Sequence, residues 1–415
     1  MDLPVQRYRS ALALAVAGVL LVGACAPLGE VGPGDPSVSP DPGPAAAPVP
    51  PEPTAEGEPP APTPRGRLNV STSGWQTDFE IASVELSEII GGGPGKDGIP
   101  AIDEPRFEPI EDARSWQDER APVIALEVNG EARAYPLSIL MWHEIVNDTL
   151  GGVPVVVTFC PLCNTALVFE RDLDGVLYDF GTTGNLRFSD LVMYDRQTES
   201  WWQQATGESI VGVLTGTRLP FVPSQIVALG DFAAAYPDAL ALSRETGFSR
   251  SYGRNPYVGY DSVDQNPFLF RGEIDGRLSP MERVVAVNID DAAVAYPHSE
   301  VARLGVIHDQ VAGTPVVVFW QPGVASALDA ARIDEGRDIG ATGVFSPVVD
   351  GERLTFEPGS GAIVDRETGS LWSIFGVATE GPLEGTSLEP IGHGDHFWFA
   401  WASFEPETRI WVAGE

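Results

Sequence analysis

An internal repeat constrains the fold of this 415-residue chain more than any other feature of its sequence. Residues 123–157 align with residues 284–318 without a gap, at a constant offset of 161. Residues 195–202 then align with residues 365–372, after nine extra residues in the second copy. Two copies of this length are too few and too long for a solenoid or a propeller. We therefore predict two similar halves packed around a pseudo-twofold axis.

The pattern within one copy predicts a mostly β unit of the α+β class. Residues 123–128 and 131–135 flank Asn129-Gly130, a dipeptide that favours a tight hairpin. Residues 136–148 begin with Pro and are expected to form a short helix that ends before Gly151-Gly152. The β-branched residues 154–159 predict a buried strand, and a second hairpin is expected around Asp174-Gly175. Each half should then contain antiparallel strands and hairpins with one short helix.

The remaining composition divides the chain into six predicted segments. They are a signal peptide (1–24), a Pro-rich linker that begins at the anchor residue (25–64), an N-terminal extension packed on the domain (65–120), a first repeat unit (121–247), an inter-repeat loop (248–280) and a second repeat unit (281–415). The linker lacks the large apolar residues needed for a core, and its Pro content predicts an extended, semi-rigid spacer.

The N-terminus predicts export and attachment to a membrane. Arg7 and Arg9 precede an apolar stretch, residues 11–22, that is shorter than the roughly 20 residues of a transmembrane helix. The stretch ends in Val-Gly-Ala before Cys25, which resembles the lipobox of bacterial lipoproteins. We expect lipid on Cys25, a cell-envelope location outside the cytoplasm, and the membrane as a partner held through acyl chains.

The charge balance argues against nucleic acid as a partner. The chain has 59 acidic and 25 basic residues, a formal net charge of −34. Binding to phosphates requires clustered Lys and Arg, so we expect no nucleic-acid function.

The best candidate for chemistry is the pair Cys160 and Cys163, which follows the predicted strand 154–159 in a C-x-x-C spacing. The residues after Cys163 are typical of a strand rather than a helix, which disfavours a thioredoxin fold. The pair could be a structural disulfide, a redox pair, a metal site or an incidental pair. The second copy has Gln321 and Val324 at these positions, so the cysteines are a specialisation of the first copy.

A metal site at these thiols needs further ligands, because a structural zinc site uses four Cys or His side chains. With one histidine, two thiolates could hold Cu(I) or another transition-metal ion. His143 is the candidate third ligand, although its predicted helix places it at a different level from Cys160. A strong tilt or a ligand from the second copy would then be needed. The alternative is that His143 is a packed, hydrogen-bonded residue.

Two weaker candidate sites have equally plain structural explanations. His393, Asp395 and His396 lie within four residues and could chelate a metal, or could form a polar turn before a strand. Tyr252, Tyr257 and Tyr260 lie in the inter-repeat loop and could line a ligand cleft between the halves, or could pack the halves together.

Several motifs occur together in a fixed order along the chain: Gly98-Ile-Pro-Ala-Ile-Asp103, His143-Glu-Ile-Val-Asn-Asp148, Cys160-Pro-Leu-Cys163, Tyr194-Asp-Arg-Gln-Thr198 and Pro256-Tyr-x-Gly-Tyr-Asp261. This combination resembles a prokaryotic family known as domain of unknown function 3179, from about residue 86 to about residue 411. The resemblance implies no reaction, cofactor or partner.

Two classes of function remain open at this point. One is a non-catalytic envelope binding protein with a ligand cleft between the two repeats. The other is a metal-binding or thiol redox protein centred on Cys160 and Cys163. The sequence contains no complete set of nucleophile, base and orienting residue, which favours the binding protein.

Overall fold

The computed structural model describes residues 66–359 and 361–414. The predicted signal peptide, the lipid-attachment residue Cys25 and the Pro-rich linker lie outside the described residues. Nowhere in these two ranges is there a helix with both the length and the apolarity that crossing a membrane requires.

The first part of the described chain forms sixteen strands and three α-helices. Its elements are β1 (Ile89–Gly91), β2 (Phe107–Pro109), α1 (Ile110–Arg114), β3 (Pro122–Val128), β4 (Glu131–Pro136), α2 (Leu137–His143), β5 (Ile145–Leu150), β6 (Val153–Cys160), β7 (Thr165–Glu170), β8 (Asp172–Leu173), β9 (Val176–Leu177), β10 (Phe180–Arg187), β11 (Asp190–Asp195), β12 (Trp201–Gln203), β13 (Glu208–Val211), β14 (Phe221–Val222), β15 (Gln225–Ala228), α3 (Leu229–Ala235) and β16 (Leu240–Leu242).

The second part repeats much of this order after residue 282. Its elements are β17 (Arg283–Ile289), β18 (Ala292–Pro297), α4 (His298–Leu304), β19 (Val306–Val311), β20 (Thr314–Gln321), β21 (Ala341–Phe345), β22 (Val348–Val349), β23 (Glu352–Arg353), β24 (Phe356–Pro358), β25 (Ile363–Asp365), β26 (Leu371–Trp372), β27 (Ala378–Glu380), β28 (His393–Phe397), α5 (Trp398–Phe404) and β29 (Arg409–Ile410). The protein is therefore mostly β, with antiparallel sheets and few helices, as the sequence predicts.

The two halves build the same kind of sheet around their first hairpin. In the first half the strand order is β15-β3-β4-β16-β2, and in the second half it is β28-β17-β18-β29. The β3–β4 and β17–β18 hairpins are antiparallel, and each adds a parallel strand, β16 or β29, on its far side. The predicted order of hairpin, helix and strand occurs in both halves, and the five matched elements from β3 to β6 and from β17 to β20 keep the offset of 161.

The predicted helix over residues 136–148 is too long. Helix α2 ends at His143, and residues 145–150 form strand β5 instead, which pairs antiparallel with β6. The helix ends because Glu144 has φ 60° and ψ −31°, a backbone conformation outside the right-handed helix. Ile145 and Val146, which fit a helical pattern, are β-branched residues that pack in the sheet.

Matching polar networks hold equivalent turns in the two halves. Asp195 accepts hydrogen bonds from the backbone N of Thr198 (2.5 Å) and from Nε1 of Trp202 (2.9 Å). Asp365 accepts the same pair from Thr368 (2.6 Å) and Trp372 (2.9 Å). Both aspartates are fully buried, so these bonds satisfy groups that would otherwise be costly to bury.

The inter-repeat loop is fixed to the second half by a buried ion pair. Asp261 is fully buried and accepts from Nη2 of Arg283 at 2.9 Å and from Nη1 of Arg337 at 2.9 Å. The Ser326 hydroxyl also donates to this carboxylate. Because Arg283 begins β17, the loop is anchored at the point where the second half starts.

Candidate metal site

The two cysteines lie on a tight turn between antiparallel strands. Cys160 is the last residue of β6 and pairs with Thr165, the first residue of β7. Residues 161–164 form the turn, which Asn164 closes with φ 52°. Both cysteines are free thiols and almost completely buried. The prediction that a strand follows Cys163 is correct, and the turn does not place a helix N-terminus beside either sulfur.

Asp190 is the third member of the cluster. It begins β11 at the tip of the β10–β11 hairpin, after Phe188 and Ser189, which both have positive φ. The Sγ atoms of Cys160 and Cys163 and one carboxylate oxygen of Asp190 all lie within 4.8 Å of one another. This spacing suits three donors around one ion.

One oxygen of Asp190 is held in place and the other has no partner. Oδ1 accepts hydrogen bonds from Nε2 of Gln203 at 2.5 Å and from the backbone N of Ala205 at 2.9 Å. Oδ2 is buried and has no hydrogen-bond partner among the described residues. Burial of an unpaired carboxylate oxygen is unfavourable, so a missing partner is expected at this point.

Burial shifts the titration of every acidic group at the cluster toward the neutral form. It raises the pKa of the Cys160 thiol and raises that of Cys163 well above its usual range. It also raises the pKa of Asp190 to about 7, against the hydrogen bonds from Ala205 and Gln203 and the approach of the Cys163 and Cys160 thiols. Within residues 66–359 and 361–414, Asp190 forms no ion pair with a Lys, Arg or His side chain. The cluster is acidic, buried and without a protein cation.

Glu144 adds a fourth acidic group. Burial and the neighbouring charge of Asp190 raise the pKa of its carboxyl to about 8, and its own charge contributes to the raised pKa of Cys160. Its backbone carbonyl accepts from the backbone N of Phe159 at 2.8 Å, which ties it to the strand that ends in Cys160. Glu144 was not among the residues that the sequence pattern selected.

His143 does not join the thiols. Its Nδ1 lies 2.7 Å from the carbonyl of Pro100 and its Nε2 lies 2.7 Å from the hydroxyl of Tyr252, so both ring nitrogens have partners. The ring is fully buried, and burial lowers its pKa. This arrangement agrees with the packed, hydrogen-bonded alternative.

The loop tyrosines support the cysteine turn rather than an open cleft. The Tyr260 hydroxyl donates to the carbonyl of Leu162, inside the turn, at 3.0 Å. Its ring meets Phe397 of the second half edge to face. Tyr257 packs with Tyr260 at 6.4 Å between ring centroids, and burial raises the pKa of Tyr257 to about 12. Tyr252 lines a small cavity of about 110 Å³.

His393, Asp395 and His396 are not brought together around one point. They lie on strand β28, where alternation directs His393 and Asp395 to one face and His396 to the other. Asp395 accepts from Thr342 and lies 3.3 Å from Nε2 of His298. Nδ1 of His396 lies 2.9 Å from the Thr165 hydroxyl, next to the cysteine turn. His396 therefore serves the contact between the two halves, whereas Asp395 is bonded within the second half.

A cleft of about 710 Å³ lies between the halves. Leu167, Phe169 and Ala205 line it from the first half, and His396 and Trp401 line it from the second. None of the three loop tyrosines lines this cleft.

Sequence reasoning missed Asp190 and Glu144, although one signal for Glu144 was present. At the offset of 161, Glu144 matches Gly305, just as Cys160 matches Gln321. Asp190 has no such signal, because the matching hairpin is shorter: β24 and β25 close within residues 356–365, whereas β10 and β11 extend over residues 180–195. The tip that carries Asp190 has no counterpart to compare.

Comparison with known proteins gives one match. The model of a protein family of unknown function, DUF3179, matches residues 96–408, which is most of the chain. The chain belongs to this family. No curated protein and no solved structure matches it significantly. Family membership confirms the resemblance seen in the motifs and leaves the chemistry to be argued from the site.

Proposed function

We propose that this DUF3179 protein is an envelope lipoprotein that binds a borderline-soft metal ion through Cys160, Cys163 and Asp190. The observation that carries the proposal is the convergence of three buried ligand groups within 4.8 Å, together with the unpartnered Oδ2 of Asp190. A buried cluster of acids without a protein cation is stabilised when a metal ion replaces the protons.

The donor set favours a Zn²⁺-like ion over Cu(I). Two thiolates suit either ion, but Cu(I) prefers soft sulfur donors and a carboxylate is a hard donor. Zn²⁺ accepts both Cys sulfur and Asp oxygen in tetrahedral sites. Three protein donors leave one position of a tetrahedron for a further ligand, as in zinc sites that carry out chemistry.

The same geometry disfavours exchange of the thiols with a partner protein. The thiolate is the nucleophile in disulfide exchange, and burial raises the pKa of both thiols. Both sulfurs also lie below the surface. Metal binding does not need a surface approach by another protein, so it fits this site better than a redox exchange function.

Titration of the purified full chain with Co²⁺ and Zn²⁺ tests the metal proposal. Wild type should bind one ion with a thiolate charge-transfer band for Co²⁺, and the Cys160→Ser/Cys163→Ser variant should bind none while keeping its circular dichroism spectrum. Thr158→Ser, which alters a neighbouring buried residue of β6 without removing a donor, is the matched control. A wild-type chain with no bound metal at saturating Co²⁺ would reject the proposal.

We also propose that the two halves arose by internal duplication and that Cys25 carries the lipid anchor. The shared element order and the paired Asp195 and Asp365 networks support duplication. The Val-Gly-Ala-Cys25 sequence after a short apolar stretch supports the anchor. Cys25→Ser should move the protein from the membrane fraction to the soluble envelope fraction, and retention in the membrane would contradict the anchor.

Ligand binding between the halves is a second candidate function. The cleft of about 710 Å³ is within the range of small-molecule sites and has an apolar wall from Leu167, Phe169 and Trp401. An apolar fluorescent dye should bind there, and Ser403→Trp, which adds bulk to the cleft lining, should abolish binding. Equal dye binding by both proteins would remove the cleft as the binding site.

A further inference from the structure

Glu144 has a backbone conformation that suits glycine. It follows helix α2 with φ 60° and ψ −31°. In this region the Cβ of a residue other than glycine is strained. The matched residue of the second half is Gly305, with φ 73° and ψ −34° after helix α4. The scaffold therefore needs this conformation in both halves, and only the first half places a side chain there.

The side chain that causes this strain gains no visible compensation from the protein. Glu144 is 9% exposed, and its carboxylate takes part in none of the hydrogen bonds or ion pairs found among residues 66–359 and 361–414. Its oxygens are not among the fully buried atoms without a partner in these ranges, so they keep some contact with solvent. The backbone carbonyl of Glu144 accepts from the backbone N of Phe159, the neighbour of Cys160, at 2.8 Å. Burial and the charge of Asp190 raise the pKa of Glu144 to about 8, and the charge of Glu144 adds to the effect of burial on the pKa of Cys160. A glutamate with a strained backbone and acidic neighbours destabilises the metal-free protein in two ways.

The other departures of the first half from the second meet at the same place. Cys160 and Cys163 stand where the second half has Gln321 and Val324, and Asp190 lies on a hairpin tip that the second half lacks. Glu144 completes this set, since Gly305 takes its place in the second half. Three of these departures converge within 4.8 Å, and the fourth lies beside them through the backbone bond of Glu144 to Phe159. This arrangement indicates a common ligand rather than four separate accidents.

We infer that Glu144 is a fourth member of the metal site and supplies its carboxylate to the position that the other three donors leave open. This inference rests on the proposed metal function. The carboxylate lies outside the group of three donors that already fall within 4.8 Å. It would therefore reach the ion by a rearrangement of its side chain or through a bound water, and either contact would fill the fourth position.

Two substitutions separate the strain from the carboxylate. Glu144→Gly removes both, and Glu144→Gln removes only the charge while keeping a side chain in the strained conformation. Ala312→Gly is the control, because Ala312 also has positive φ, 48°, but lies in the exposed β19–β20 turn of the second half. All four proteins are purified as full chains, freed of metal, and titrated with Co²⁺.

We expect opposite effects on stability and on metal binding. Without metal, Glu144→Gly should raise the melting temperature by roughly 1–4 °C. Its affinity for Co²⁺ should fall by about 10–100-fold, with a changed ligand-field spectrum. Glu144→Gln should lose similar affinity without the gain from relieved backbone strain. Ala312→Gly should gain stability and bind Co²⁺ as wild type does.

The outcomes distinguish this inference from the proposed function. Wild-type affinity and spectrum in both Glu144 variants would overturn the role of Glu144 while leaving the three-donor site intact. Failure of wild type itself to bind Co²⁺ would overturn the proposed function. If Glu144→Gly does not fold, the affinity and spectrum of Glu144→Gln decide the question.

Discussion

The two halves differ most at the connection after their central strand. In the first half, strand β6 returns through a four-residue turn that carries the cysteines, and the β10–β11 hairpin is long enough to bring Asp190 to it. In the second half, strand β20 leads into residues 322–340, a long loop with a 3-10 helix at Ile333–Glu335, and the matching hairpin is short. The same scaffold thus tolerates both arrangements. Among residues 66–359 and 361–414, the cluster of Cys160, Cys163 and Asp190 occurs in the first half alone.

The largest expected effect comes from His396, a buried position of the second half that carries a valine in the first half. Its protonation should reduce the stability of the protein in acid. His396 pairs with Val284, and its counterpart Val227 pairs with Val123. Burial lowers the pKa of His396 to about 4, below the value near 6.5 of an unfolded chain. Its contribution to stability is therefore complete above pH 6.5 and is lost as the pH falls toward 4. The loss should reach about 3 kcal/mol.

His396→Val, which installs the residue of the first half, should remove this part of the acid sensitivity. The measurement is the free energy of unfolding in denaturant for wild type and variant at a series of pH values from 4 to 7. Other groups titrate in the same range, including the buried His393, so the difference between the two proteins is the readout. Parallel curves for the two proteins would show that folding does not lower the pKa of His396.

The shared scaffold should be sensitive to equal changes in either half. Asp195→Asn and Asp365→Asn each place an amide group against the donors from a Thr and a Trp. Each substitution should cost about 2–3 kcal/mol, because buried donors lose a charged acceptor. Equilibrium unfolding of both variants checks this. Costs that differ by more than about 2 kcal/mol would mean that the halves are not equivalent in their scaffold.

Glu144 after helix α2 and Gly305 after helix α4 have the same strained backbone conformation. Exchanging a side chain for glycine, or glycine for a side chain, should change stability in opposite directions at these two positions. Gly305→Ala should cost about 1–2 kcal/mol, since Gly305 has φ 73° and a Cβ there would meet the Cβ of Pro358 at 3.0 Å. Glu144→Gly should stabilise the metal-free protein, as argued above. The check is the melting temperature of each variant without metal, and a stabilising Gly305→Ala would contradict the assigned strain.

The smallest expected effect concerns a hydrogen bond that both halves share. The Tyr135 hydroxyl donates to Asp148 at 2.6 Å, and the Tyr296 hydroxyl donates to Asp309 at 2.8 Å. Tyr→Phe at either position should cost about 1 kcal/mol. Denaturant unfolding measures both values. A large cost in one half alone would indicate that this bond has taken on a different role there.

The sequence predicted the parts of the fold that depend on local pattern and repetition. The hairpin at Asn129-Gly130 and strand β6 are both expected from turn residues and β-branched runs. The predicted helix over residues 136–148 is too long because Ile145 and Val146 fit both the period of an α-helix and the alternation of a β-strand. Pairing of β5 with β6 decides between them, and that pairing is a tertiary contact.

The site was only half predicted for the same physical reason. Cys160 and Cys163 are close in sequence, so their spacing is visible, whereas Asp190 reaches them through the register of β10 with β11. His143 was a candidate third donor, with a packed, hydrogen-bonded role as the alternative, and its ring nitrogens lie against Pro100 and Tyr252. Residues that are brought together from different strands have no fixed spacing in the sequence by which to recognise them. Only the comparison of Glu144 with Gly305 between the two halves could have pointed to one of them.

The backbone N of Phe397 donates to the carbonyl of Cys163 at 2.9 Å, so a strand of the second half closes on the cysteine turn of the first. If either half opened alone, this bond would break and the backbone amide of Phe397 would be exposed. Opening of the two halves should therefore be coupled at this contact, and the Phe397 amide should be protected from exchange with solvent. An ion bound at the turn would then slow hydrogen exchange in β28, although β28 itself contributes none of the three converging donors.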